Sequence, residues 1–258
     1  SRHPDIASFS EYRFILDPDG IVDFYRAFAE NWSPNLADVR LRRLERFLAT
    51  VGRTPLWHDI ISRIVYRLYD KRGVKLSRRQ YHGLQLDRRI PSFRQHRKML
   101  LQELVEFSYS ARWIGTESYT WRPRIYFSRP RTKAELAAIL RKFVNNVVSE
   151  ILLAERKQVL VDDNPYNILL ARELLELVPT CKILHVIRDP RDVVASYSVQ
   201  AWAPTDKVQA AHVYRSLIAQ WFEVKKSLPN NSYLEYRLED LVRAPERMIR
   251  ELCAFIGC

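Results

Sequence analysis

Cysteine, glycine and long apolar runs are all scarce in this chain of 258 residues, and each scarcity removes a class of protein. Three cysteines (Cys181, Cys253, Cys258) are an odd number without the close pairing of a zinc or redox motif. A disulfide-built scaffold is therefore not expected at this size, and a reducing compartment is. Only six residues are glycine while 47% are apolar, which argues for an ordinary folded protein and against a low-complexity or disordered one. No apolar run approaches the roughly 18 residues of a membrane span. The chain opens on SRHPDI without the apolar stretch of a signal peptide. No G-x-x-x-x-G-K-[ST] occurs, which weakens a nucleoside-type kinase reading.

What the chain has in excess is positive charge. Lysine and arginine number 42 against 30 acidic residues, a formal charge of +12. Such a balance favours an anionic partner: a nucleotide, an acidic glycan, nucleic acid or a membrane surface. For any single arginine the plainer reading is a solvated helix surface. Both ends are abrupt, with Cys258 directly after a helix-terminating Gly257, and the expectation is a fragment of a longer protein.

Helical signals fill the first half. Ser33 followed by Pro34 reads as a cap and first helical residue, ahead of Leu36, Val39, Leu44, Phe47 and Leu48. Trp57, Ile60, Ile61, Ile64, Val65 and Leu68 recur at helical spacing, and a third helix is predicted from about Ser92 to Ser108. The stretch from there to Arg131, rich in arginine and aromatics, reads as loop. Thr132 and Glu135 form a capping box for a long helix. Strands and helices then alternate: QVLVD (158–162), a helix over 168–177, KILHVI (182–187), a helix over 191–201, a long helix through Tyr214 and Trp221, SYLEYR (232–237), and a last helix opened by Pro245. Alternation of this kind predicts an α/β fold, a three-layer parallel sheet with helices on both faces. A single domain over 1–258 is expected, with a helical insertion over 31–131 and the strand–helix core over 132–258.

In such sheets ligands sit beyond the carboxyl ends of the strands. IRDPRDVVAS is one such end. Arg188 lies at the rim, Asp189 can cap, Pro190 can open the helix, and Ser196 is expected near the helix start. A guanidinium, a hydroxyl and a positive helix terminus would together hold an anion. Simple surface pairing of Arg188 and Arg191 with Asp189 and Asp192 is the alternative, and the residues alone leave both open.

VIRDPRDVVAS (186–196) resembles the 3′-phosphate-binding motif of sulfotransferases that take their sulfuryl group from PAPS, 3′-phosphoadenosine-5′-phosphosulfate. Three further segments resemble that family in order: HPDIASFSEYRFI (3–15), VDDNPYN (161–167) and YRLEDLVRAPERMIRELCAFIG (236–257). The set is most similar to the bacterial-type branch, with features of tyrosylprotein sulfotransferases. The resemblance implies a P-loop-NTPase-like fold, PAPS as co-substrate, PAP as product, and no metal. It implies that Arg188 and Ser196 hold the 3′-phosphate, that Glu11 is the general base, and that Arg13 lies close to the acceptor or the sulfuryl group. Asp163, Asn164 and Trp202 fall to the substrate side. Several relatives carry a lysine where Asp163 stands, and a preorganised cation there would stabilise transition-state charge. The Asp162–Asp163 pair lacks the further ligands a metal site needs. The family's phosphosulfate loop, often P-R-S-G-T-T, and its strand do not occur in this sequence, so weak PAPS binding and little turnover are expected of the chain alone.

The implied activity is sulfuryl transfer to a hydroxyl or amine, with the charge pointing to an acidic acceptor: a polysaccharide, a peptide or a lipid. A non-catalytic polyanion-binding module on the same fold is the alternative. Nucleic acid is not the expected partner, because no reader motif accompanies the charge. The cytoplasm is the expected location, with the Golgi lumen left open.

Overall fold

The computed structural model describes residues 3–9, 15–53, 64, 67, 85–114, 123–200 and 202–258. The chain divides into two compact units. The first comprises Ser1–Leu56, Gln80–Asn164 and Glu176–Val178; the second comprises Trp57–Arg79, Pro165–Leu175 and Pro179–Cys258. The helix predicted over 57–68 lies outside the described residues except for Ile64 and Arg67, which are helical.

Unit one contains β1 (Ile6–Phe9), α1 (Ile21–Glu30), α2 (Pro34–Gly52), α3 (Leu86–Arg89), α4 (Phe93–Leu104), β2 (Phe107–Tyr109), β3 (Ile125–Phe127), α5 (Lys133–Glu155) and β4 (Val159–Asp162). The capping chemistry is as the sequence predicts. The Ser33 hydroxyl accepts from the Leu36 amide at 3.2 Å with Pro34 at the first position. Thr132 and Glu135 close a reciprocal capping box at the head of α5. Phe28, Leu41, Leu44, Leu48, Leu104, Leu136, Leu140 and Val147 are withdrawn almost completely from solvent. They join α1, α2, α4 and α5 in one apolar core.

Part of the positive charge is consumed inside this unit. Arg40 donates to the carbonyls of Ala27 and Asn31 at the end of α1. Arg131 reaches the carbonyl of Glu103 at 2.9 Å, and Arg141 that of Glu176 at 2.7 Å. Cations on the unpaired carbonyls of helix ends satisfy both the hydrogen bonds and the helix dipole.

Two elements depart from expectation. The third helix stops at Leu104, and the stretch read as loop contains an antiparallel pair, Phe107↔Phe127, Ser108↔Tyr126 and Tyr109↔Ile125. Asp38, only 1% exposed, fixes this pair to α2. Its carboxylate accepts from the Tyr126 amide (2.8 Å), Trp113 Nε1 (3.0 Å) and Arg42 Nε (2.8 Å). Three donors, an amide, an indole N–H and a guanidinium, make burial of a carboxylate tolerable. The other sheet of this unit is the parallel pair β1–β4, in register from Ile6↔Val159 to Phe9↔Asp162.

Unit two holds a 3-10 turn (Asn167–Leu170), most of α6 (Ala171–Leu177), then β5 (Ile183–Ile187), α7 (Pro190–Tyr197), α8 (Lys207–Lys225), β6 (Tyr233–Arg237), α9 (Leu238–Arg243) and α10 (Pro245–Ile256). Gly257 ends α10 at φ +83°, the left-handed cap position that favours glycine. β5 and β6 run parallel, in register from Ile183↔Tyr233 to Ile187↔Arg237. The fold is thus of mixed α/β character. Among the described residues its parallel strands form two pairs, β1–β4 and β5–β6.

A buried polar network holds β5, β6 and α8 together. Glu235 Oε1 accepts from Trp221 Nε1 at 2.8 Å and lies 3.1 Å from His185 Nδ1, while Lys225 Nζ pairs with Oε2. Trp221 is fully buried and His185 nearly so. Burial alone would raise the Glu235 carboxyl, but hydrogen bonds from Lys225, Trp221 and His185 outweigh it and hold the group below the ordinary glutamate value. No helix among the described residues is long and apolar enough to cross a membrane.

Candidate functional site

The carboxyl end of the β5–β6 pair is where a parallel arrangement offers a ligand edge. β5 finishes at Ile187 and hands over to Arg188, whose side chain is 43% exposed. Asp189 then caps α7, accepting from the Arg191 amide at 2.9 Å, with Pro190 at the first helical position. The Arg191 guanidinium returns on the same carboxylate at 3.1 and 2.7 Å. These bonds hold the Asp189 carboxyl down at about 2. The Asp189 amide donates to Glu239 Oε1 at 3.0 Å, tying the end of β5 to α9.

The anion-binding surface differs from expectation in one respect. α7 is only eight residues long, so Ser196 lies in its last turn and not near its start. The amino terminus of α7 is already satisfied, because the Arg191 amide goes to the Asp189 side chain and the Asp192 and Val193 amides to its carbonyl. The usable surface is instead the flank of the helix. Arg188 Nη2 lies 3.5 Å from Asp192 Oδ2. Asp192 and Ser196 are four residues apart, hence on one face with a rise of about 6 Å between them. Arg188, Asp192 and Ser196 therefore form one exposed stripe. Both surface pairs weighed from the sequence are present. The Arg188–Asp192 pair is long, and both partners are exposed (43% and 57%). Such pairs contribute little, so the guanidinium can turn to a bidentate oxyanion at small cost.

Arg237 was not singled out from the sequence. It is the last residue of β6, in register with Ile187, and is exposed. Its charge helps to lower both Asp189 and Glu239, after their hydrogen bonds. The strand end is thus more basic than Arg188 alone would make it. Only the pairing of strands 50 residues apart reveals this.

Asp163 and Asn164 follow directly on β4 in unit one. Asp163 is exposed; Asn164 is buried, its amide donating to Asp162 Oδ1 at 3.2 Å. Trp202 belongs to unit two with Arg188 and Ser196. It is 56% exposed and set edge-on to Tyr197, ring centroids 4.9 Å apart. Tyr197 in turn meets Tyr214 at 6.4 Å. Burial, then Tyr166 and Tyr214, push the Tyr197 hydroxyl up. Glu11 and Arg13 lie outside the described residues.

The family model described as "Sulfotransferase family" matches residues 77–258. The chain belongs to the sulfotransferase family. No curated protein and no solved structure matches it. The matched range contains Asp163, Asn164, Arg188, Ser196 and Trp202, and stops short of Glu11 and Arg13. Sulfotransferases generally draw the sulfuryl group from PAPS, a donor bearing phosphate at the 3′ and 5′ positions. The residues at the β5–α7 junction suit one such phosphate: an exposed planar fork, a hydroxyl on the same helix flank, and a neighbouring Arg237.

Proposed function

We propose that this sulfotransferase transfers a sulfuryl group from PAPS to a hydroxyl or amine, with Arg188 and Ser196 holding the 3′-phosphate of the nucleotide. The observation that carries this reading is the shared flank of α7: Arg188 reaches over Asp192, and Ser196 stands one turn further on. On binding, the 3′-phosphate takes the place of Asp192 as partner of the Arg188 guanidinium and accepts from the Ser196 hydroxyl. PAP, the desulfated product, keeps that phosphate and so reports on these two residues without turnover.

Glu11 is the proposed general base. As the acceptor oxygen or nitrogen bonds to sulfur, the bond from sulfur to the 5′-phosphate oxygen breaks. The acceptor's proton passes to the Glu11 carboxylate, and PAP leaves. Arg13 stands near the transferring group in this reading, supplying positive charge that Asp163 cannot. Asp163, Asn164 and Trp202 are the proposed acceptor-binding residues. The acceptor is acidic, a polysaccharide, peptide or lipid, in keeping with the net charge of +12. Arg40, Arg131 and Arg141 are bound to main-chain carbonyls. That internal use of charge favours a discrete site over a diffuse polyanion-binding surface.

Calorimetric titration with PAP tests the reading. Arg188→Ala should weaken binding by on the order of 1.5–3 kcal/mol, the worth of a hydrogen bond to a charged group. An unchanged affinity would remove Arg188 from the site.

A further inference from the structure

On the face of α7 away from Arg188 and Ser196, an open groove of about 360 Å³ runs between α7 and α8. Pro190 and Val194 form one wall. Ala211, Tyr214, Arg215, Ile218, Ala219 and Phe222 form the other, at the spacing of a single helix stripe. Val194 and Ser196 are separated by about 200° around the helix axis, so the groove and the phosphate flank do not share a surface of α7. The volume falls at the small end of the range for ligand pockets, about 300–1,000 Å³.

Two features give the groove a chemical preference. Its walls are largely apolar, and Phe222 leaves 53% of its surface open to solvent along the trough. Arg215 is the single charged residue of the lining, and among the described residues no hydrogen bond, ion pair or ring contact occupies its guanidinium. Arg191 of α7, and Arg188 just ahead of that helix, both face carboxylates. An unpaired cation on an apolar trough calls for a ligand with one negative group and an apolar body.

We propose that the α7–α8 groove binds a small amphipathic anion, an aryl or short alkyl carboxylate, sulfate or sulfonate. The head group meets Arg215, and the body lies along Val194, Ile218 and Phe222. Ala211 and Ala219 leave the room. The site is separate from the nucleotide residues and stands whether or not PAP binds to Arg188.

The test uses two fluorescent probes that differ in charge: 1-anilinonaphthalene-8-sulfonate and the neutral N-phenyl-1-naphthylamine. The chain should bind the sulfonate saturably at one site. Arg215→Gln should weaken it by about fivefold, the scale of one exposed charge contact, and leave the neutral probe unchanged. Ala219→Trp should fill the trough and remove both probes, with the far-UV circular dichroism spectrum kept. Arg188→Ala should bind both probes as the unaltered chain does, whatever it does to PAP. Equal loss of both probes in Arg215→Gln overturns the assignment of the head group. Undiminished binding in the folded Ala219→Trp variant overturns the site. Sedimentation showing a dimer that Ala219→Trp dissociates overturns the proposal as well, since a second copy would then cover the groove.

Discussion

Replacing Glu235 with alanine removes the acceptor on which three side chains converge. Trp221 Nε1 loses its one hydrogen-bond partner among the described residues, 2.8 Å away, in a fully buried position. Lys225 and His185 lose the carboxylate that faces them. An orphaned buried donor costs about 1–3 kcal/mol, and breaking a buried pair from one side costs about 3–5 kcal/mol. Glu235 keeps 18% and Lys225 28% of its side-chain surface exposed, so the lower half of that range applies, roughly 3 kcal/mol. For a chain of this size that corresponds to a melting temperature lower by on the order of 10 °C. Glu235→Gln keeps an oxygen for Trp221 and should recover part of the loss. The folded-state pKa of Glu235 is depressed, so its contribution is complete above the unfolded value of about 4.3 and fades as pH falls through the lower folded value. Thermal and denaturant melts at pH 7 and pH 3 read both effects. The network joins β5, which delivers Arg188, so the alanine variant should also bind PAP less well. A Glu235→Ala protein that melts within about 2 °C of the original would refute this account of the network, since that shift is worth under 1 kcal/mol.

Asp38→Ala should cost about 3 kcal/mol by orphaning the Tyr126 amide and Trp113 Nε1, and hydrogen exchange should quicken at β2 and β3 ahead of α5. Ser33→Ala removes the cap of α2 and should cost about 1 kcal/mol, read in a denaturant melt. Asp189→Ala should lower stability at neutral pH by uncapping α7. The depressed pKa of about 2 means this difference persists down to about pH 4 and vanishes as pH falls toward 2, measurable by melting across that range. Glu11→Gln should abolish whatever sulfuryl transfer the chain supports while leaving PAP affinity intact; equal activity would remove Glu11 as base.

Where a structural signal is local, the sequence carried it. Ser33-Pro34, Thr132 with Glu135, Asp189-Pro190 and Gly257 each declare a helix end through chemistry within four residues, and all four are observed. Elements without such signals were missed. α1 begins after Gly20, which offers no side-chain cap, and α9 is a six-residue helix, again without one. β2 and β3 are three residues each, too short for alternation to register, and their anchor Asp38 lies some 70 residues upstream of β2. The predicted end of α7 overshot because Ser198 turns its hydroxyl back onto the Ala195 carbonyl, a local bond that competes with continuing the helix. Ser196 is the seventh residue of α7, nearly two turns from its head, and the early end places it in the last turn. At the site, Arg188 was legible from its motif, whereas Arg237 was not, because its nearness to Asp189 depends on the register of β5 with β6.

In the proposed function Arg188 and Ser196 read the 3′-phosphate of a nucleotide. Parallel calorimetric titrations with PAP and with adenosine 5′-phosphate, which lacks that group, address it most directly. The account predicts that the chain prefers PAP by about tenfold or more, the scale of one charge-assisted contact, and that Arg188→Ala paired with Ser196→Ala erases the preference. Equal affinity for the two nucleotides, or a preference that survives in the double variant, would contradict it.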